Sequence, residues 1–423
     1  MKVFQGMGHA GFHLVFVMCC LSQVAMTQGA PGANPSLEER VFTASKVHSL
    51  LELHFLSSET VSAPDLEGVY KDYLRRVLAT DDRRRFDMAT IEFVAQLHNG
   101  HTFFWDTALD ESNNQPLGFR AMPLDGKWVV QVSFLDDLKS GEIISKIDDA
   151  PMEAFFLQQR RYISASSTAA QRRNLFLLPF LFPAHFTLTL ESGPQVTVDR
   201  RTTKKPPEKV EGRWLQPGAT AYISISSFFD PSLEEMALNY VRQFHKAKTL
   251  IIDVRGNAGG IPPERLIIAL MDRPYRGWLE ATKRETCPFD LDQKSQSNAT
   301  NAEASRSSKV VQPSRNAYRG RLILLIDGGC VSACEDLVEP FKDSGRGTIV
   351  GETTQGSSGV PFSYDFRNGM TLRIAVKRNY FPDGSEFEGV GIKPDIEVHT
   401  TIEDLKRAKD PVLEKALELA EKP

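Results

Sequence analysis

The chain has 423 residues, of which 41% are apolar and 25% charged, and its formal net charge is -4. This composition is typical of a globular protein, and the length fits two or three domains. The small net charge argues against nucleic-acid binding. Five cysteines are too few for a disulfide scaffold, and the sequence has no His/Cys cluster at metal-ligand spacing, so we expect neither a metal nor another cofactor.

The first segment of the chain, residues 1–30, predicts a signal peptide. The apolar run GFHLVFVMCCLSQVAM is followed by the small and turn residues of TQGAPGANP. The alternatives are a single anchor helix or a lipid-modified cysteine. We therefore expect a secreted or periplasmic protein, with membrane contact only through an uncleaved or lipidated N-terminus. Removal of this segment leaves Cys287, Cys330 and Cys334, and spacing alone does not define which of them pair.

The next two regions differ in their hydrophobic period. Residues 36–112 carry apolar side chains at three- and four-residue spacing, which predicts a helical N-terminal domain. Residues 113–200 contain the β-rich runs WVVQVSF, EIISKI and HFTLTL. The order of a glycine turn, the strand EIISKI, a tight Asp-Asp turn and a helix resembles the core of a PDZ domain. The basic, proline-containing residues 201–214 are predicted to be a linker.

Residues 215–423 alternate between short apolar strands and amphipathic helices. This alternation predicts an α/β layer structure with mostly parallel strands. The polar stretch QKSQSNATNAEASRSSK, residues 293–309, interrupts the pattern and is predicted to be a flexible surface insertion.

Two glycine-rich turns follow strands of this α/β region and carry the candidate chemistry. In RLILLIDGGCVSACEDLV, Ser332 follows a strand and begins a helix, which suits an exposed nucleophile beside helix N–H groups. The alternative is an ordinary N-cap serine. In LIIDVRGNAGG the glycines permit close approach of the backbone to a ligand, and their N–H groups could hold an oxyanion. The alternative there is a simple strand-to-helix turn.

Taken in order, the segments DVRGNAGG, IDGGCVSACEDLVEPFKDSGRGTIVGETTQG and FPDGSEFEGVGIKPDIEV resemble the tail-specific or carboxy-terminal processing peptidases. Tricorn core proteases and retinoid-binding repeats are relatives of that family. The resemblance covers residues 36–423 and implies a serine endopeptidase with a crotonase-like α/β fold and a PDZ-like substrate-binding domain. The matching motif positions are Ser332, Glu335, Asp343, Gly345, Arg346, Gly351, Glu352, Thr354 and Gly356. Of these, we expect Asp343, Arg346 and Glu352 to be structural ion partners.

One departure from the family pattern concerns the general base. The processing peptidases use a lysine at the place where this chain has Ser357, and a serine cannot serve as that base. The stretch LHNGHTFF resembles a tricorn-type motif, which implies that His101 is the base. His98, one helical turn away, and Lys377 are the alternatives.

The resemblance also implies a third catalytic residue and an oxyanion site. Glu388 matches the glutamate that orients the histidine in the tricorn pattern, where a serine beside the histidine relays the contact. Gly100 stands at that serine position here, so Glu388 contacts His101 directly or Asp106 takes the role. The implied oxyanion donors are the N–H groups of Gly259 or Gly260 and of Ala333. The list of candidate site residues is then Ser332, His101, Glu388, Gly259, Gly260 and Ala333.

The expected function is hydrolysis of peptide or protein substrates by Ser332 with His101 as base. The alternative is a non-catalytic protein that binds a ligand or peptide on the same fold, which the missing lysine favours. A third possibility is a scaffold that binds protein tails through the PDZ-like part alone. The oligomeric state stays open.

Overall fold

The computed structural model describes residues 33–56, 65–109, 115–203, 207–283, 302–305 and 310–422. The predicted signal peptide and Cys287 lie outside these ranges. No helix within them is long and apolar enough to cross a membrane. The α-helices are α1 (Leu37–His54), α2 (Leu66–Ala79), α3 (Arg83–Ala95), α4 (Met152–Gln159), α5 (Thr168–Asn174), α6 (Pro231–Gln243), α7 (Glu264–Leu270), α8 (Ala333–Ser344), α9 (Ile402–Lys406) and α10 (Pro411–Glu421).

The strands of the described ranges form several sheets. They are β1 (Phe103–Asp106), β2 (Phe119–Leu124), β3 (Lys127–Ser133), β4 (Ile143–Ile147), β5 (Ala150–Pro151), β6 (His185–Leu190), β7 (Gln195–Asp199), β8 (Val210–Gln216), β9 (Thr220–Ile225), β10 (Thr249–Asp253), β11 (Tyr275–Arg276), β12 (Leu279–Lys283), β13 (Ala302–Ser305), β14 (Val310–Val311), β15 (Arg321–Ile326), β16 (Thr348–Gly351), β17 (Pro361–Asp365), β18 (Met370–Ala375), β19 (Lys377–Tyr380) and β20 (Ile396–Glu397). Short 3-10 turns occupy Arg160–Tyr162, Leu175–Leu177, Pro179–Leu181 and Arg200–Thr202.

The predicted helical region contains α1, α2 and α3, and each begins at a polar capping side chain. Ser36 and Glu39 make a reciprocal capping box at α1, and Asp65 and Asp82 accept N–H bonds at the starts of α2 and α3. The helices are not a separate helical core. Their apolar faces pack on β18, from far downstream, which pairs antiparallel with β1 and β17.

A second unit is an antiparallel sheet in the order β2-β3-β4-β6-β7, with β5 paired to β4. The predicted strands EIISKI and HFTLTL are confirmed as β4 and β6. Helices α4 and α5 cover the sheet, and aromatic side chains such as Trp128, Phe156 and Phe176 fill the space between them.

The largest sheet of the α/β region has the order β20-β16-β15-β10-β9-β8. The predicted parallel pairing is confirmed for β9, β10, β15, β16 and β20, whereas β8 runs antiparallel to β9 and includes residues predicted to be linker. Side chains alternate between the two faces. Leu250 and Ile252 pack with α6, α7 and α8, while Ile251 packs with α10 on the opposite face. Helices on both faces bury the parallel strands.

The predicted surface insertion lies partly within the described ranges. Its residues 302–305 form β13, whose backbone pairs antiparallel with β12, and β12 also pairs with β19. The spacing of the cysteines did not define their pairing. The structure shows a disulfide between Cys330 and Cys334.

One buried ion pair joins the helices to the strand that follows the histidine motif. The Arg83 guanidinium donates to both carboxylate oxygens of Asp106 at 2.6 and 2.9 Å, and it also donates to the carbonyl of Asn368. Because Asp106 is fully buried, this pair anchors β1 between α3 and the β17–β18 hairpin.

We predict that Asp106→Asn lowers the free energy of unfolding by about 3 kcal/mol, because it removes the buried carboxylate that the Arg83 guanidinium contacts with two N–H groups. Urea unfolding at pH 7 measures the change. Glu191→Gln is the matched control, since its pair with Lys127 is about half exposed, and the expected change is below about 0.5 kcal/mol. Equal stability of the two variants would contradict the anchoring role.

Candidate active site

The carboxyl ends of the parallel strands bring the two glycine-rich turns together. Strand β10 leads into residues 254–260, and β15 leads into residues 327–332. In open α/β sheets, ligands bind outside this edge. The Val331 N–H donates to the Asn257 carbonyl at 3.1 Å, which links the two turns directly.

Ser332 sits in a strained turn at the start of α8. Its φ is 60°, a left-handed value that non-glycine residues rarely adopt, and the disulfide between Cys330 and Cys334 spans it. Its hydroxyl lies 2.9 Å from Nε2 of His101. An N-cap side chain would accept a hydrogen bond from the Glu335 N–H. That N–H donates to the Ser332 backbone carbonyl instead.

His101 comes from the turn between α3 and β1, and Asn99 shapes that turn. The Asn99 side-chain oxygen accepts the His101 N–H at 2.9 Å and the Thr102 hydroxyl at 3.0 Å. Burial, and secondarily the charge of Arg373, lowers the pKa of His101 to about 4. The imidazole is therefore neutral near pH 7. His98, the alternative candidate, is exposed.

Ser357, at the position of the missing lysine, lies between His101 and Glu388. Its Oγ is 2.9 Å from Nδ1 of His101 and donates to Oε1 of Glu388 at 3.2 Å. The structure thus places Ser332, His101, Ser357 and Glu388 in one hydrogen-bonded chain. Ser166 and Asn99 also donate to Glu388, the latter at 3.1 Å. Burial raises the pKa of Glu388 to about 7.

Asp106, the other candidate for orienting His101, and Lys377, an alternative candidate base, both have partners outside this hydrogen-bonded chain. Asp106 pairs with Arg83, and the Lys377 ammonium bonds Glu280 at 2.6 Å. The path from Glu388 to His101 runs through the Ser357 hydroxyl.

The geometry explains why glycine precedes the histidine. A Cβ at Gly100 would lie 2.7 Å from Oγ of Ser357 and 3.3 Å from its Cβ. A side chain at residue 100 and a hydroxyl at residue 357 therefore compete for one space. In this chain residue 357 carries the hydroxyl that contacts the imidazole.

Glu335 holds the serine turn and the relay loop together. One of its oxygens accepts from the Thr354 hydroxyl and the Gly356 N–H, and the other accepts from the N–H groups of Ser357 and Ser332. Burial raises the pKa of this carboxyl to about 8, but all four contacts are donors, and an added proton would face one of them. The contacts therefore favour the carboxylate.

The candidate oxyanion donors lie around Ser332 but differ in availability. Gly259 has φ of 87°, and a Cβ there would lie 2.7 Å from the Ser332 Cβ, so only glycine permits this approach. The Gly259 N–H already donates to the Asn257 side chain at 2.9 Å. Within the described residues, the N–H groups of Gly260 and Ala333 have no such acceptor.

The Ser332 hydroxyl and the His101 ring open into a cleft of about 530 Å³. Its walls are mainly aromatic and aliphatic, and Arg373 contributes a positive charge. The apolar lining residues include Phe103, Phe104, Trp105, Tyr162, Leu178, Phe180 and Phe229.

Sequence reasoning missed four contributors to this site. Ser357 was considered only as a missing base, and Asn99, Ser166 and Arg373 were not considered. The only available signal was the position of Ser357, where the family pattern requires a titratable side chain. The motif residues Asp343, Arg346 and Glu352 lie in ion pairs with Arg276, Asp272 and Arg173, respectively.

The fold and site define an α/β protein with a serine hydroxyl hydrogen-bonded to a buried imidazole at the carboxyl edge of a parallel sheet. Residues 219–398 match the family model described as Peptidase family S41. A probable CtpA-like serine protease from Staphylococcus aureus strain COL is 25% identical over 223 residues, 51% of this chain and 40% of the relative. Carboxyl-terminal-processing peptidase 3, chloroplastic, from Arabidopsis thaliana is 25% identical over 187 residues, 44% of this chain and 33% of the relative.

Solved structures show the same mixed α/β fold. Mature CPAF aligns with a TM-score of 0.64 and 15% identity, over 91% of this chain and 96% of that one. The photosystem II D1 C-terminal processing protease aligns with a TM-score of 0.53 and 18% identity, over 90% of this chain and 97% of that one. The chain spans less than half the length of the curated relatives above, and at these identities the structural likeness concerns the fold alone.

We predict that Gly100→Ser slows fluorophosphonate labelling of Ser332 on the order of 10²-fold, because its side chain displaces the Ser357 hydroxyl from His101. In the double variant Gly100→Ser/Ser357→Ala, the new hydroxyl has room, and labelling recovers at least about tenfold over Gly100→Ser. Gly277→Ser, where a Cβ meets open space, is the control. The competition for one space is refuted if Gly100→Ser labels at the unmodified rate or the double variant labels more slowly than Gly100→Ser.

Proposed function

We propose that this protein is a serine peptidase in which Ser332 is the nucleophile and His101 the general base. The observation that carries the proposal is the chain of hydrogen bonds from Ser332 through His101 and Ser357 to Glu388. It supplies a neutral base without the family lysine. It also favours the enzyme over the non-catalytic binding protein, since the missing lysine was the feature that supported the latter.

In the proposed reaction, Ser332 Oγ attacks the carbonyl carbon of a peptide bond while Nε2 of His101 takes its proton. The Nδ1–H of the imidazolium donates to Ser357, whose hydroxyl donates to Glu388, so the carboxylate stabilises the positive ring. The N–H groups of Gly260 and Ala333 donate hydrogen bonds to the developing oxyanion. His101 then protonates the leaving amine, and water hydrolyses the acyl-enzyme by the same route.

We further propose that the domain division follows the family pattern, with a crotonase-like catalytic part and a PDZ-like part. The six-stranded sheet of residues 119–199 with its covering helices supports the PDZ-like interpretation. Such a unit would hold an extended chain end by strand addition. The disulfide at Cys330 and Cys334 supports a compartment outside the cytoplasm, where disulfides persist.

We predict that Ser332→Ala abolishes both peptide hydrolysis and fluorophosphonate labelling while leaving the thermal unfolding midpoint within a few degrees of the unmodified protein. The unmodified protein should form one adduct per chain, located at Ser332 by peptide mass mapping. Labelling at another residue, or undiminished hydrolysis by Ser332→Ala, would remove Ser332 from the proposed role. A folded, unlabelled parent chain would instead support the binding protein.

We predict two acid-side steps in the pH dependence of fluorophosphonate labelling. The rate rises near pH 4 as His101 loses its proton, and rises again near pH 7 as Glu388 ionises and stabilises the imidazolium. Glu388→Gln should remove the upper step and keep the lower one. The rates are measured from about pH 3 to 9, with circular dichroism at each pH. An upper step that persists in Glu388→Gln would contradict the relay.

A further inference from the structure

A half-buried arginine stands in the cleft beside the candidate catalytic residues. Arg373 lies on β18 opposite Phe103 of β1, and its guanidinium carbon is 5.6 Å from the centre of that ring. Both residues line the cleft that contains Ser332 and His101. The contact with Phe103 holds the guanidinium against a wall of the cleft that is otherwise mainly apolar.

Within the described part of the chain, Arg373 has no carboxylate partner. Its Nε is fully buried and meets no hydrogen-bond acceptor, and burial lowers the pKa of the guanidinium with no acidic neighbour to oppose it. Arginine at such a depth is normally paired. The charge is therefore uncompensated in the free protein.

Two more deeply buried arginines, Arg83 and Arg346, have the contacts expected of a structural role. Arg83 contacts both oxygens of Asp106, and Arg346 contacts Asp272 at 2.9 Å and the carbonyls of Leu270 and Tyr318. Arg373 lacks such contacts and faces the cleft instead. The position of Arg373 therefore fits a side chain whose charge is balanced by a negatively charged ligand.

We infer that Arg373 is a specificity-determining residue that binds a carboxylate of the peptide substrate close to the scissile bond. The planar guanidinium matches a carboxylate with two parallel N–H donors. The aromatic walls supply an apolar site next to it, so the substrate class is a peptide with an acidic group beside large apolar side chains. This inference rests on the proposed peptidase function.

The same contact would act on the base. The charge of Arg373 helps to lower the pKa of His101, so a bound carboxylate would neutralise that charge and strengthen the base when substrate is present. The carboxylate can be the C-terminus of the peptide or an Asp or Glu side chain, because the guanidinium recognises the same group in either.

Binding to the full chain carrying Ser332→Ala separates recognition from hydrolysis. The probes are leucine- and alanine-based hexapeptides with an uncharged BODIPY label: one with a free C-terminus, its amide, and amidated peptides with one Glu or one Gln at each position. Fluorescence anisotropy measures each Kd. We expect at least one carboxylate peptide to bind about tenfold or more tightly than its neutral twin. The free-acid and Glu series identify which source of carboxylate is read.

Adding Arg373→Gln should abolish the carboxylate preference and leave the neutral peptides within about threefold, while Arg373→Lys keeps part of it. Arg367→Gln, at an exposed position of the same hairpin, is the matched control and should keep the full preference. The inference is overturned if no twin pair differs more than about twofold, or if the preference survives Arg373→Gln.

Fluorophosphonate labelling of the chain with Ser332 intact tests the peptidase function separately. Labelling without a carboxylate preference in the binding experiment would refute the role of Arg373 and retain the peptidase. An Arg373-dependent preference in a chain that resists labelling would refute the peptidase and support Arg373 as a carboxylate-binding residue of a ligand carrier.

Discussion

The site depends on one buried carboxylate that never touches the cleft. Glu335 accepts four hydrogen bonds, two from the backbones of Ser332 and Ser357 and two from Thr354 and Gly356. A side chain one helical turn after the serine thereby sets the distance between the candidate nucleophile and the candidate relay. Four donors around one acceptor group in a dry interior tolerate little displacement, because each lost bond leaves a buried polar group unsatisfied.

Glu335 fixes Ser332 and Ser357, whereas other contacts position the His101 imidazole. Asn99 shapes its turn, and β1 leads away from it into the β18 pairing and the Arg83–Asp106 contact. The histidine is therefore clamped between the front helices and a late hairpin. Ser332 and Ser357 both contact the imidazole, and the Ser357 hydroxyl fills the space that a side chain at residue 100 would need.

Much of the fold could be predicted from local patterns. Periodicity located α1 to α3, the strands β4 and β6 and the parallel alternation, since each element's burial leaves a repeat in its own residues. The packing of β18 against the helices could not be predicted, because that contact joins segments more than 260 residues apart with no periodic signature between them. Linker residues became strand β8 because pairing with β9 outweighed their polar composition.

The residues of the candidate site that belong to a sequence motif could be predicted. Those whose role depends only on their position in the fold could not. Ser332, His101 and Glu388 could be located by resemblance to a family pattern. Ser357 and Gly100 each appeared as a departure from that pattern, and only coordinates show that the two departures occupy one space. Asn99, Ser166 and Arg373 have common residue types in unremarkable contexts, and their roles arise from where the backbone places them.

The hydrogen bond between Ser332 and His101 joins residues 231 positions apart, and that between Asn99 and Glu388 spans 289. During synthesis the imidazole leaves the ribosome long before the hydroxyl and the distal carboxylate that complete its surroundings. A half-made or truncated polypeptide thus lacks an assembled centre, whichever half it retains. Assembly of this hydrogen-bonded chain is therefore a property of the completed tertiary structure.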